Sequence, residues 1–208
     1  MADADPKERL LNAAERLFAE QGFGASLRAI TSAAGANIAA VNYHFGSKEK
    51  LVEAVFARRI APVNAKRLAL LEQAEAAAAP KPASVEAILE ALVRPLLELS
   101  RSDQAQQFVR FAGRLINEPG DQLRFVLGQF GEIRERAMRS LSRALPRLDE
   151  TELAWRLHFT IGVCCHTMTN AERLPMLTWG KCSAADDEIV LAQIVDYAAA
   201  GFRAEHRS

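Results

Sequence analysis

The chain holds no uninterrupted apolar run of the roughly 20 residues that a membrane-spanning helix needs, so a water-soluble protein is expected. Net charge is absent as well, because 26 Lys and Arg offset 26 Asp and Glu. That balance excludes a uniformly basic nucleic-acid coat and leaves only local patches to consider. Cysteine is scarce: the three cannot all pair and two are adjacent, which points to reduced thiols rather than a disulfide framework. The first residues, MADADPKER, are acidic and polar, unlike a signal peptide, and a cytoplasmic location is expected. There is no Gly-rich phosphate loop, nucleophile elbow or pair of catalytic carboxylates, so catalysis is not expected. His158, Cys164, Cys165 and His166 lack Cys-x-x-Cys or His-x-x-x-His spacing, and adjacent helical cysteines point about 100° apart, so neither metal nor cofactor is expected. No segment shows the alternation of a half-buried strand, which makes the fold all-α.

What is present is helical pattern, and residues 26–50, SLRAITSAAGANIAAVNYHFGSKEK, carry the chemistry. Ser26 suits an N-cap, with Leu27, Ile30 and Ala34 on one stripe and Arg28 and Thr31 off it. Gly35 takes the positive φ that turns a chain sharply after a helix. Asn37 caps a second helix reaching about His44, in which Ile38 and Val41 grip the first helix while Ala40, Asn42, Tyr43 and His44 point elsewhere. Two short helices joined in this way lay the second one in the DNA major groove. Ala39 and Ala40 permit close approach to base edges and thymine methyls, and Asn42 suits adenine or a phosphate. Tyr43, His44 and Lys48, the last in a helix capped by Ser47, offer donors to phosphate oxygens, and Phe45 reads as core. From Ser26 to Arg67 seven cations (Arg28, Lys48, Lys50, Arg58, Arg59, Lys66, Arg67) stand against Glu49 and Glu53, a local basic footprint in a neutral chain.

Residues 7–55 resemble the DNA-binding domain of tetracycline-repressor (TetR) family regulators: LNAAERLFAEQGF, then SLRAITSAAG, then NYHFGSKEKLVEAV, with matching spacing from Phe23 through Gly35 to Tyr43, Phe45 and Lys48. The resemblance implies contact with double-stranded DNA at Ser26, Arg28, Asn37, Ala40, Asn42, Tyr43, His44 and Lys48. Asn42 departs from the tyrosine that many members carry. The chain is also similar to the long-chain fatty-acid-responsive repressors of β-oxidation genes, over LRAITSAAGANIAAVNYHFGSKEKLVEAVFARRIAPVNAKRLALLE, ELAWRLHFTIGVCCHTMT and the ending AAGFRAE. That likeness implies a homodimer formed through the last two helices, a palindromic operator, and release by an apolar effector such as a long-chain fatty acid or acyl-CoA.

The rest of the chain reads as helices. The first, about residues 7–21, places Leu10, Leu11, Ala14, Leu17 and Phe18 on one stripe, and a long helix runs from Ser47 to near Ala79. Ser84 caps another, with Val85, Ile88, Leu89, Leu92, Val93, Leu96 and Leu97 apolar and Pro95 expected to kink its later part. Asp103 opens the next, and a single helix is expected from about Asp121 to Leu145. Asp149 and Glu152 resemble a capping box before Leu153, Leu157, Ile161, Cys164, Cys165 and Met168, and the final helix carries Ile189, Leu191, Ile194, Val195, Ala198 and Phe202. The organisation expected is a three-helix helix-turn-helix DNA-binding domain over residues 1–50 and a helical effector-binding and dimerisation domain over residues 51–208.

Candidates to line an effector pocket are Phe108, Phe111, Leu115, Phe125, Phe130, Trp155, Phe159, Cys164 and Met168, with Arg110, Arg114, Arg124 and His158 as head-group candidates. Burial of an acyl chain between helices is worth about 0.8 kcal/mol per CH₂. Two other classes stay open on the residues alone: a DNA-bound scaffold controlled by a protein partner, and a helical lipid-binding protein that does not bind DNA.

Overall fold

The computed structural model describes residues 5–99, 108–109, 111–113 and 121–205. Among them every regular element is helical. Helix α1 is Pro6–Gln21, α2 Leu27–Ala33, α3 Ile38–Phe45, α4 Lys48–Ala78 and α5 Val85–Leu99. Residues 108–109 and 111–113 are also helical. Then come α6, Asp121–Gly128; α7, Gly131–Ala144; α8, Glu150–Thr169; the single turn α9, Leu174–Leu177; and α10, Asp187–Arg203. The chain divides into two compact units, one of Met1–Pro62 with Arg101–Phe130, the other of Val63–Ser100 with Gly131–Ser208. The first unit thus extends past residue 50 along α4 and takes in Phe108, Phe111, Phe125 and Phe130.

In the first unit, α1 starts where the Asp5 carboxylate accepts the Lys7 N–H at 3.1 Å and Pro6 occupies the first turn, where its missing N–H costs nothing. Its predicted stripe is the buried one: Leu10, Leu11, Ala14, Leu17 and Phe18 all lie in the core. Phe18 stacks on Phe111 at 5.8 Å, and Phe56 of α4 packs against Phe108, Phe125 and Phe130 at 5.6, 6.4 and 6.2 Å. Offset and tilted ring pairs of this kind add roughly 0.5–1.5 kcal/mol each beyond simple burial. The same two helices are bolted by charge. Glu15 on α1 is 3% exposed and accepts from Arg58 and from Arg59 Nε at 2.9 Å, while Arg58 Nη1 also donates to Asn12 at 2.8 Å and Glu8 at 3.2 Å.

In the second unit α10 packs along α5 and α8, and α7 along α5 and α8. α5 contributes Ile88, Leu89 and Leu97 and α10 contributes Leu191, Ile194, Val195, Ala198 and Phe202 to the buried apolar residues of this unit. The capping box of α8 is present: Glu152 N–H donates to Asp149 Oδ1 at 2.8 Å, and Asp149 N–H to Glu152 Oε2 at 3.4 Å. Arg156 reaches across to the last turn of α10, donating Nη1 to the Phe202 carbonyl at 2.5 Å and the Gly201 carbonyl at 3.2 Å. Glu75 on α4 accepts from Arg136 and from the Ser140 hydroxyl at 2.6 Å, both on α7. Arg136 is the chief reason that the Glu75 carboxyl lies below the usual carboxylate value.

Three sequence expectations are corrected. The single helix expected over 121–145 is two, separated at Gln129 and Phe130, where Gln129 N–H bonds back to Phe125 and Phe130 N–H to Leu127. Gly128 and Gly131 flank the break, and two glycines weaken a helix by about 1 kcal/mol each relative to alanine. Ile161 and Ile189 were assigned to apolar faces but are exposed, and α10 buries the adjacent Val190 instead of Ile189. The short turn α9 between α8 and α10 carried no periodic signal and was not anticipated.

Candidate nucleic-acid interface

The helix-turn-helix is held by its own backbone and caps. Ser26 Oγ accepts the Ala29 N–H at 3.1 Å, and the C-terminus of α2 closes with Gly35 at φ +59° and the Ala36 N–H on the Thr31 carbonyl at 2.9 Å. Asn37 Oδ1 then accepts the Ala40 N–H at 2.9 Å and starts α3. At the far end Gly46, with φ 83° and ψ −45°, donates to the carbonyls of Asn42 and Val41 before Ser47 Oγ caps α4 through the Lys50 N–H at 3.2 Å. A side chain at that backbone geometry is strained, so the glycine there is a geometric requirement.

The motif's inner and outer residues separate as a docked recognition helix requires. Ile30 and Val41 are fully buried, whereas Asn42 and Tyr43 are exposed, Tyr43 at 85%. Of the remaining residues implied by the resemblance, Ser26, Arg28 and Asn37 are exposed, and Ala40, His44 and Lys48 are half-buried. Tyr43 and His44 meet edge to face at 5.0 Å, so the two phosphate candidates brace each other. Glu49 at the start of α4 has its carboxyl held below the usual value, first by its own backbone N–H, then by the Ser47 hydroxyl, with Lys48 adding a smaller effect.

Several assignments change. Thr31 is buried, not off the stripe, with its hydroxyl donating to the Arg28 carbonyl at 3.2 Å, while Ile38, expected to grip α2, is 40% exposed. Phe45, read as core, is half-buried. The basic footprint contracts: Arg58 and Arg59 pair with Glu15, Lys66 pairs with Glu98, and Arg67 Nε donates to the Leu92 carbonyl at 2.7 Å. Those four charges hold helices together within their own units; of the other three cations, Lys50 pairs with Glu53 at 2.6 Å, and Arg28 and Lys48 lie on the motif.

The effector candidates do not converge. Phe108, Phe111, Phe125 and Phe130 gather around Phe56 in the first unit, and Leu115, Arg110 and Arg114 lie outside the described residues. Trp155 and Phe159 face outward on α8 at 58% and 61% exposure, with His158 against Trp155. Arg124 is exposed, Met168 is half-buried, and Cys164 is buried, which pushes its thiol up to about 12. Sequence reasoning missed Arg67: burial of its guanidinium, beside the thiols of Cys164 and Cys165, depresses it to about 10. The flanking Leu68 and Leu71 were the only signal that this cation points inward.

Comparison with known proteins agrees with the geometry. Residues 10–55 match the bacterial regulatory proteins of the tetR family, and residues 90–201 match the tetracyclin repressor-like C-terminal domain. The chain is 49% identical over 53 residues to the HTH-type transcriptional regulatory protein RaaS of Mycobacterium tuberculosis, and 51% identical over 45 residues to the HTH-type transcriptional dual regulator CecR of Shigella flexneri. These stretches cover 26% and 22% of this chain and 25% and 20% of those proteins, so a quarter or less of either relative is matched. The fatty acid degradation regulator FadR of Bacillus halodurans shares the fold across 99% of this chain and 100% of its own, with a TM-score of 0.70 at 16% identity. With the helix-turn-helix intact and both halves matched, the chain belongs to the TetR family of DNA-binding transcriptional regulators.

Proposed function

We propose that the protein is a repressor that works as a homodimer: two copies of α3 read a palindromic operator, and an apolar small-molecule effector releases it. The observation that carries the DNA reading is the sorting of α3, with Val41 buried beneath it and Asn42 and Tyr43 turned to solvent beside half-buried Ala40, His44 and Lys48. On this reading Ala40 and Asn42 meet base edges, and Ser26, Arg28, Asn37, Tyr43, His44 and Lys48 hold the phosphates. One such helix reads too few base pairs for specificity, and a two-fold dimer doubles the site.

The dimer reading is supported by where apolar surface is left open. Of the eleven exposed large apolar residues among those described, eight lie between Trp155 and Tyr197. Along α8 the outward stripe Thr151, Ala154, Trp155, His158, Phe159, Gly162 and His166 carries no carboxylate, lysine or arginine. Exposed apolar stripes of that composition mark interfaces. The acyl-chain effector rests on the sequence resemblance, and a fatty acid degradation regulator of the same fold is in keeping with it. Because Phe108, Phe111, Phe125 and Phe130 pack on Phe56 and Phe18, a chain inserted among them would press directly on α1 and α4. The test is recovery of genome-wide bound DNA, then anisotropy titration of the recovered operator with long-chain fatty acids and acyl-CoA. Release at micromolar acyl chain supports the reading. Absence of specific DNA removes the regulator, and tight binding unaffected by every acyl chain removes the effector.

A further inference from the structure

The DNA-binding unit contains a cleft unrelated to the recognition surface. It has a volume of about 460 Å³ and is lined by Arg9, Asn12, Ala13, Glu15, Arg16, Ala33, Ala34 and Arg59. Arg9, Asn12, Ala13 and Arg16 recur at three, four and seven residues, which places them on one face of α1 over two turns. The end of α2 and Arg59 of α4 form the other walls. The volume falls in the roughly 300–1,000 Å³ range of small-molecule sites.

Cations predominate in the lining of this cleft. Three guanidinium groups line it against the carboxylate of Glu15, with the Glu20 carboxylate beside Arg16. The carbonyl end of α2 would repel an anion, but at Ala34 it is covered by Arg9, whose Nε donates to that carbonyl at 3.0 Å. Arg16 lies half exposed at the mouth, 3.8 Å from Glu20 in a one-turn pair that solvent weakens. The oxygen of the Asn12 amide is engaged by Arg58 at 2.8 Å, so what Asn12 has to offer a ligand is its N–H donors. Ala13, Ala33 and Ala34 add a small apolar wall.

We infer that this cleft is a binding site for a small phosphate monoester, with Arg9 and Arg16 as its anion clamp and the alanine wall taking the organic part. A phosphate monoester carries about −1.5 to −2 charges near neutrality and presents three acceptor oxygens, which suits the forked donors of the guanidinium groups in the lining. DNA phosphate is the weaker fit. The cleft meets α2 at Ala33 and Ala34, the opposite end from Ser26, and eight residues of helix separate them by about 12 Å. Occupancy would tie α1, the end of α2 and α4 together, so the unit that grips DNA would answer to a second metabolite directly.

The test uses the full chain, without DNA, titrated at constant ionic strength with inorganic phosphate and with glycerol phosphate, chloride being the control. Binding is followed by calorimetry and by backbone amide shifts. The expected result is saturable binding of glycerol phosphate with shifts centred on Ala13, Ala33 and Ala34. Arg16→Ala should weaken it at least about tenfold, Arg16→Lys less so, and Lys48→Ala should leave it unchanged. Arg16 is half exposed, so its truncation leaves the core intact, and an unaltered melting temperature in the absence of ligand checks this. No saturation, unaltered affinity in Arg16→Ala, or shifts that centre on Tyr43 and vanish in Lys48→Ala would each overturn the assignment.

Discussion

Replacing Arg156 with Met keeps the aliphatic stem and removes the donors that α8 gives to the last turn of α10. Two carbonyls lose a partner, but unequally. The Gly201 carbonyl also accepts the Ala204 N–H at 3.3 Å, whereas the 2.5 Å bond to Phe202 is the larger loss. A charge-assisted bond to a carbonyl is worth about 1.5–3 kcal/mol, and a cation at a helix C-terminus adds about 0.3–1 kcal/mol. Arg156 is 14% exposed, so screening trims these values little. The sum is about 2–4 kcal/mol, which at about 2–4 °C per kcal/mol for a chain of this size lowers the melting transition of the unit holding α8 and α10 by about 4–16 °C. Calorimetry reads that shift, and hydrogen exchange reads its location as faster exchange in the amides from Phe202 to Ala204. Arg156→Lys should recover part of the loss, because an ammonium cannot span both carbonyls with a rigid fork. A Met variant that melts within about 1 °C of the parent, with unchanged exchange at that turn, would refute the reasoning.

Substituting Gly35 with Ala at φ +59° should cost about 1–2 kcal/mol, and the same change at Gly46, whose ψ of −45° leaves the left-handed well, should cost more; chemical denaturation giving the reverse order would be a refutation. Asn37→Ala removes the bond to the Ala40 N–H and should cost about 1 kcal/mol, read in the same way. Tyr43→Ala and Lys48→Ala should weaken DNA binding uniformly across sequences, and Lys48→Ala alone should also reduce the salt slope by about one, measured by anisotropy at several salt concentrations; Tyr43 is exposed, so its loss should leave the melting temperature in place. For Glu75, Arg136 depresses the folded carboxyl below its ordinary 4.5, so the stabilisation is complete above about pH 4.5 and drains away as pH falls through the folded value. Glu75→Gln should therefore flatten the stability profile on the acid side alone, and an identical acid slope in both proteins would contradict it.

Local signals in the sequence were read well where one residue sufficed to set them. Ser26, Asn37, Ser84 and Asp149 all cap as their residue types predict, since a short oxygen at an N-cap competes with nothing else. The stripe of α1 and the burial of Val41 followed from 3.6-residue periodicity. What failed depended on tertiary partners. Arg58 and Arg59 looked like part of a DNA-facing patch because nothing local announces a buried carboxylate 43 residues earlier. Trp155 and Phe159 are exposed, and an aromatic stripe has the same spacing in the sequence whether it is covered or open. By contrast, the long helix expected from Ser47 to near Ala79 is present as α4, and it continues through Pro62.

The bolt between Glu15 and the two arginines sets how a recognition module of this kind is transplanted. The family match in the N-terminal half ends at residue 55, a natural place to cut a chimera, yet Arg58 and Arg59 lie beyond it. A graft cut there would carry a buried carboxylate into a host with no obligation to meet it, a loss of about 3–5 kcal/mol when a buried pair is broken. Extending the graft to Pro62 keeps both arginines. Even then Phe18 and Phe56 would arrive without Phe108 and Phe111, which come from a separate stretch of chain. Operator specificity here is portable only as two pieces of sequence moved together.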